Sequence, residues 1–407
     1  MKTVFSPPTP MPPTLPARPA ITQSVSWLAG MTPKQFMTRY WQKKPLLIRQ
    51  AFPNFKPPIT IDEVLRLSTS DAAQSRLVRR ENSLNRRLAD AWTLSHGPFR
   101  KLELPKLTDP NWTVLVQQVN TLLPAADKFM DAFRFIPEAR LDDLMVSVAG
   151  PDGGIGAHTD SYDVFLLQAA GCRRWEISRQ FSPEFQEDMP LKILKSFRAQ
   201  EQWDLNPGDL LYLPPQVAHR GTAIGAGCMT WSIGFRAPSR IALADQAWAQ
   251  HMDQLLDADW RDPWLGATDH PGEIPERLLS ALAEQVLGSF PKADTLRRAI
   301  ARALSEPAPS AIFIPIAPRP SMKAFVSQAS RRGVALSPAS RLLYADGLFF
   351  MNGEQLQAIQ KTAGQRALQR LADHRQLSPE EFKRGSGDAE FVSLLHDMTA
   401  AGWIVYH

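Results

Sequence analysis

The chain has 407 residues, a formal net charge of +5 and a pI near 9.2. One hydrophobic core seldom extends past about 250–300 residues, so two or three domains are expected. A hydrophobic content of 44% with 21% charged residues excludes a disordered or fibrous chain, and the mild basic bias suits an acidic or RNA-associated partner. Two cysteines, Cys172 and Cys228, form neither a metal-binding spacing nor a disulfide framework, which points to a reducing, cytoplasmic setting. No run of eighteen apolar residues is present, so no membrane span is expected.

Residues 1–25 are rich in proline and lack an apolar core, and read as a flexible, polyproline-like arm rather than a secretory signal. Thr32-Pro33 opens a helix, with Thr as the cap and Pro at the first helical position. Residues 45–49 read as a short strand, 61–65 as the start of a helix and 76–81 as a strand or edge. The five arginines between Arg76 and Arg87 read as a solvated face rather than a nucleic-acid patch. An apolar run at 112–129 leads from extended structure into a helix that covers the following sheet, and residues 140–143 read as a polar turn.

From Leu144 the period becomes strand-like: 144–149, 164–168, 171–177 (entered by a turn at 169–171), 202–205, 210–213 and 228–235 are short strands between Pro- and Gly-rich turns. Residues 182–197 read as an insertion or crossing loop. Many short strands over about 95 residues fit a double-stranded β-helix, the jelly-roll or cupin barrel.

That barrel gives meaning to Gly153-Gly-Ile-Gly-Ala-His158-Thr-Asp160 and to Pro214-Pro-Gln-Val-Ala-His219. Side chains two apart on an extended segment share a side, so His158 and Asp160 can reach one metal while Thr159 points away. With His219 at another strand end, the set is the two-histidine, one-carboxylate facial triad that holds non-haem Fe(II) and leaves other positions open. A structural zinc site would more commonly use four Cys/His ligands and need no open side.

Beyond the barrel, helices are expected at 240–256, 275–290 and 293–304. Leu278, Leu282, Val286, Leu296, Ile300 and Leu304 supply apolar positions for helix packing or a dimer face. Five prolines in 305–320 suggest a linker. A hairpin turning at Asp346-Gly347, followed by helices at 364–372 and 390–401, suggests a winged-helix-like module. Glu380, Glu381, Asp388 and Glu390 dilute any basic recognition helix, so direct DNA binding is not expected.

Residues 153–160, Tyr162-Asp-Val-Phe165, Gly171-Cys-Arg-Arg-Trp175, Pro207-Gly-Asp-Leu-Leu-Tyr-Leu-Pro-Pro215 with His219, and Ser232-Ile-Gly-Phe-Arg-Ala-Pro238 resemble the bacterial JmjC-type cupin family of ribosomal oxygenases. The resemblance begins near Met31 and runs, weakening, to the C-terminus. Beyond the flexible arm at 1–25, it implies a JmjC/cupin catalytic domain at 26–240, a helical dimerisation region at 241–305 and a winged-helix-like domain at 306–407. It also implies Fe(II), 2-oxoglutarate and O2, with His158, Asp160 and His219 as metal ligands. Arg173 matches the arginine that anchors the far carboxylate of 2-oxoglutarate, a role that suits a bidentate cation; Arg174 alternates to the opposite face. Ala149 stands where relatives can carry a serine, and Thr230 is a candidate hydroxyl from the facing strand. The implied reaction is hydroxylation at C3 of an arginine side chain on a large-subunit ribosomal protein, with decarboxylation of 2-oxoglutarate to succinate, by a homodimer.

A guanidinium substrate needs carboxylate and aromatic neighbours, for which Tyr162, Asp163 and Asp142 (or Asp143) are candidates. The alternatives are histidine hydroxylation of another ribosomal protein, lysyl demethylation, a non-enzymatic metal-binding cupin, and a regulator using the cupin as a sensor. Nothing resembles a methyl-lysine cage, and a non-enzymatic cupin has no need of a cation at Arg173.

Overall fold

The structure is a computed structural model and describes residues 16–81, 91–253, 255 and 259–406. Residues 1–15 of the arm, Arg86, Arg87 and Leu256 lie outside the described residues. The chain forms two compact units. The first comprises 1–237 with 308–313 and 337–339, and the second holds the rest, so the helices of 241–305 share a unit with most of the C-terminal module.

The first unit opens with helices α1 (Pro33–Arg39) and α2 (Ile61–Leu67). Each begins at a threonine whose hydroxyl accepts from the backbone N–H three residues on, while Gln35 or Glu63 reaches back to the threonine N–H. Two of the N–H groups that a helix start leaves unpaired are thereby satisfied. Nine strands then form one sheet: β1 (Leu46–Ile48), β2 (Ser75–Glu81), β3 (Ala91–His96), β4 (Trp112–Val116), β5 (Leu141–Ala149), β6 (Val164–Ser178), β7 (Glu201–Leu205), β8 (Leu210–Leu213) and β9 (Ala218–Phe235). Their order is β1-β8-β6-β9-β5-β4-β2-β3, with β7 on the far part of β6.

The long antiparallel pair β6 and β9 shapes the barrel. It runs from Val164 opposite Gly234 to Ser178 opposite Ala218. Along it, β6 exchanges its other neighbour from β8 to β7. The two expected strands at 164–168 and 171–177 are thus one strand, and the expected turn at 169–171 is a pair of register irregularities within it. Bulges bend a strand without reversing it. Gly171 sits there at φ +63°, where a Cβ would come within 2.9 Å of the Cys228 backbone. Likewise, the Gly-containing stretch before the strand expected at 228–235 is part of β9, which runs through Gly225 and Gly227, both at positive φ, and takes in His219. The expected turn at 140–143 is the start of β5, where Leu141 pairs with Phe235.

Alternation assigns the two faces of the sheet. Leu144, Val146 and Val148 of β5, Phe165 and Leu167 of β6, and Met229, Trp231, Ile233 and Phe235 of β9 face a core shared with Phe36, Phe129 and Phe133. Helices α3 (Val119–Leu122) and α4 (Pro124–Met130) close it. Phe129 meets Trp231 edge-on at 5.1 Å, and each such fully buried ring contributes roughly 1.5–3 kcal/mol through removal from water. The residues between these core positions point to the barrel interior.

In the second unit, helices α5 (Arg240–Met252), α6 (Glu276–Gly288) and α7 (Ala293–Ser305) precede the C-terminal module. There, strands Leu342–Ala345 and Leu348–Met351 form a two-residue hairpin. Asp346 and Gly347 at its tip both have positive φ, as a type I′ turn requires. Helices Thr362–His374, Pro379–Gly385 and Ala389–Ala400 surround a core containing Phe325, Phe382 and Phe391.

Candidate active site

The inward faces of β2, β4, β5, β6 and β9 enclose a cavity of about 430 Å3. The loop before β6 brings His158 to its edge. His158 and His219 exchange main-chain hydrogen bonds, N–H to O at 3.0 and 2.9 Å, as an isolated antiparallel bridge. The carbonyl of Asp160 accepts from the Gln216 N–H at 2.9 Å. Residues 182–197 cover this loop: the Leu194 N–H donates to the Ala157 carbonyl, and Ile193 packs over Gly156, whose φ of +82° suits glycine.

The two histidines are oriented alike. His158 Nδ1 lies 3.1 Å from the Gly156 carbonyl and His219 Nδ1 2.9 Å from that of Val217. A carbonyl only accepts, so each Nδ1 carries the proton and each Nε2 presents a lone pair. His158 Nε2 is 3.9 Å and His219 Nε2 3.5 Å from the Asp160 carboxylate. One donor atom from each of the three residues lies within 4.8 Å of the others, and no other metal-competent cluster occurs among the described residues. Burial, reinforced by His158, pushes the His219 pKa down to about 4, which keeps the imidazole neutral as a metal ligand must be. The donor set, its tautomers and its open side fit Fe(II).

Arg173 lies inward on β6 and is only 4% exposed. Its Nη1 donates to the Gly221 carbonyl at 3.3 Å, while Nε and Nη2 have no protein partner. A buried guanidinium facing a cavity with unpaired donors calls for an anion, and its planar fork matches a carboxylate. The distal end of 2-oxoglutarate fits that need. Arg174 points outward and pairs with Asp204 at 2.7 Å.

The remaining candidates are not placed alike. Thr230 lines the cavity, but its hydroxyl donates to Gln168 Oε1 at 3.0 Å, leaving lone pairs and not a proton for a ligand. Ala149 is buried with Ala223 and Cys228. Asp163, expected at the substrate, is instead wholly buried outside the cavity lining. Its carboxylate accepts from the Tyr212 hydroxyl at 2.6 Å and from Gln42 Nε2 at 2.9 Å, with Arg140 3.5 Å away. It joins the N-terminal segment to the barrel. The cause is alternation: Val164 faces the cavity, so its neighbour does not.

Asp142, Asp143 and Tyr162 do line the cavity. Asp142 pairs with Arg236 at 3.0 Å, and Asp143 accepts the Gln118 N–H at 2.8 Å. Desolvation and the neighbouring Asp160 and Asp143 carboxylates push the Tyr162 phenol up, so it remains a neutral donor. Sequence reasoning missed Arg76, Ser147, Trp175 and Ser232, which also face inward. The period of two would have found Ser147, between Val146 and Val148, and Ser232, two residues after Thr230.

The barrel and its three-ligand cavity define a JmjC-type cupin oxygenase. The JmjC domain family matches residues 128–243, and the ROXA-like winged helix matches 281–404. The ribosomal protein uL16 3-hydroxylase of Escherichia coli is 30% identical over 372 residues, covering 90% of this chain and 96% of that protein. A probable ribosomal oxygenase of Haemophilus influenzae is 34% identical over 218 residues, 53% of this chain and 52% of that one. The structure of the Escherichia coli ribosomal oxygenase YcfD in complex with cobalt and 2-oxoglutarate aligns with a TM-score of 0.78 at 29% identity, over 93% of this chain and 98% of that one. The chain belongs to the ribosomal oxygenase family, whose Fe(II)- and 2-oxoglutarate-dependent chemistry it shares.

Proposed function

We propose that this oxygenase hydroxylates C3 of an arginine side chain of the large-subunit ribosomal protein uL16, the protein named for its Escherichia coli relative. One observation carries the reading: a single cavity presents three convergent metal-ligating atoms and a buried guanidinium with two unpaired nitrogens. His158, Asp160 and His219 hold the iron, and Arg173 holds the far carboxylate of 2-oxoglutarate. With O2, the bound centre supplies the oxidation that converts a C–H bond to C–OH as 2-oxoglutarate loses CO2 to become succinate.

The protein's own work is binding, orientation and exclusion of water. The carbonyls of Gly156 and Val217 fix both imidazoles, so neither ring must reorient. Leu115, Val164 and Leu166 give the cavity apolar walls. Asp142, Asp143 and the neutral Tyr162 offer carboxylates and an aromatic ring to a guanidinium, which favours arginine over a neutral imidazole substrate. No helix among the described residues is long and apolar enough to cross a membrane. The reading includes a cytoplasmic homodimer. In its support, Leu279, Val286, Leu287 and Phe290, on or just after α6, are more than half exposed, as an uncovered subunit face would be.

The test is incubation of the purified chain with Fe(II), 2-oxoglutarate and uL16, followed by fragment mass spectrometry. The expected product carries one added oxygen on an arginine, with succinate formed in step. Oxygen on a histidine of another ribosomal protein would overturn the substrate, and the absence of both oxygen transfer and succinate would overturn the activity.

A further inference from the structure

Trp175 stands two residues beyond Arg173 on β6, so both side chains face the cavity. Its ring lies 5.8 Å from that of His219, and the Arg173 guanidinium carbon is 5.9 Å from its ring centre. The indole thus neighbours both the metal-ligand set and the anion-binding cation. The residue is 6% exposed, and its Nε1 has no hydrogen-bond partner. Opposite, Gly221 makes room for the ring: a Cβ there would come within 2.8 Å of ring carbons Cη2 and Cζ3. The six-membered edge therefore lies close against β9.

An unpaired indole N–H is not in itself a site. Trp112 and Trp231 also keep theirs unpaired, but both sit in the core on the other face of the sheet. Trp175 differs in lining the cavity beside a cation that also has buried, unpaired donors. Buried donors of this kind are satisfied by a ligand when the site is made for one. Resting on the reading of Arg173 as the 2-oxoglutarate anchor, we propose that the Trp175 indole N–H donates to the same carboxylate. The far end of the co-substrate is then bound by a three-donor cradle: Nε and Nη2 of Arg173 and Nε1 of Trp175. The arrangement selects a five-carbon 2-oxo diacid over monoacids of the same length, because one carboxylate satisfies all three donors.

The test uses the full chain loaded with Zn(II), which is diamagnetic and does not turn over. Calorimetry compares 2-oxoglutarate with 2-oxopentanoate, which has the same carbon chain but lacks the far carboxylate. Trp175→Phe keeps an aromatic ring and removes the N–H. It is expected to weaken 2-oxoglutarate by about tenfold, as loss of a charge-assisted bond does, and to leave 2-oxopentanoate unchanged. In wild-type protein labelled with 15N-tryptophan, the indole resonance missing from Trp175→Phe is expected to move downfield on addition of 2-oxoglutarate. Equal loss for both ligands, no loss, or an unmoved indole resonance overturns the proposal alone. A wild-type chain that binds no 2-oxoglutarate overturns the Arg173 reading as well.

Discussion

Replacing Arg173 with methionine separates an anion anchor from a structural cation, because the two roles give opposite signs. The guanidinium is buried, makes one hydrogen bond to the neutral Gly221 carbonyl, and leaves Nε and Nη2 unpaired. Two charge-assisted bonds to a carboxylate contribute about 1.5–3 kcal/mol each. Their loss amounts to at least about 3 kcal/mol, or roughly a hundredfold in affinity at about 1.4 kcal/mol per factor of ten. Without ligand the balance reverses. The cation has been taken out of water with little compensation, so an apolar side chain of similar length is expected to leave the fold as stable or more so. Two measurements on Arg173→Met check this: calorimetric titration of the Mn(II)-loaded protein with 2-oxoglutarate, and thermal unfolding without ligand. The expected result is affinity lower by about two orders of magnitude with an unfolding midpoint that does not fall. Unchanged affinity with a lowered midpoint would refute the reasoning and make Arg173 a structural residue.

Asp142→Asn and Asp143→Asn are each expected to raise the KM for a uL16 peptide by about tenfold, with 2-oxoglutarate affinity unaltered. Steady-state assays varying peptide and co-substrate separately check this. Asp209 sets a pH dependence: burial alone would raise its pKa, but hydrogen bonds from the Gln50 and Asn206 N–H groups and the Arg49 ion pair hold it below the ordinary 3.8. The folded state therefore binds fewer protons there than the unfolded chain. Its contribution is present above the ordinary value and is lost as pH falls through the lower folded value. Asp209→Asn should cost about 1–3 kcal/mol near neutrality and flatten that acid limb, as read by denaturant unfolding across pH. Val286→Asp, on the exposed face of α6, is expected to shift light-scattering mass from dimer to monomer; an unaltered dimer would remove α6 from the interface.

Much of the barrel and its site was legible because both rest on local rules. The alternation of Leu144, Val146 and Val148 shows a strand with one buried face. The i, i+2 spacing of His158 and Asp160 puts two ligands on one side. Arg173 and Arg174 separate inward and outward by the same period, the second to Asp204. What was not legible depends on long-range pairing. The bend at residues 168–172 looks like a turn until β9 supplies a continuous partner across it. Asp163 looks like a substrate carboxylate until Gln42 and Tyr212, distant in sequence, are found to saturate it. Thr230 is a hydroxyl in the right place whose proton Gln168 has already taken.

The reciprocal main-chain bonds between His158 and His219 bear on which metal the protein carries. With both backbones stitched together and both Nδ1 protons committed, the two imidazoles are held by main-chain bonds as well as by any metal. An ion then need not organise the chain as zinc organises a zinc finger. Such a seat has a weak basis for refusing Mn(II), Co(II) or Ni(II), since a nitrogen and oxygen set follows the general affinity order of divalent metals. Selection of iron passes from the protein to the metal supply of its surroundings. Another divalent ion in the same seat would leave the chain folded but would not supply the oxidation that iron supplies.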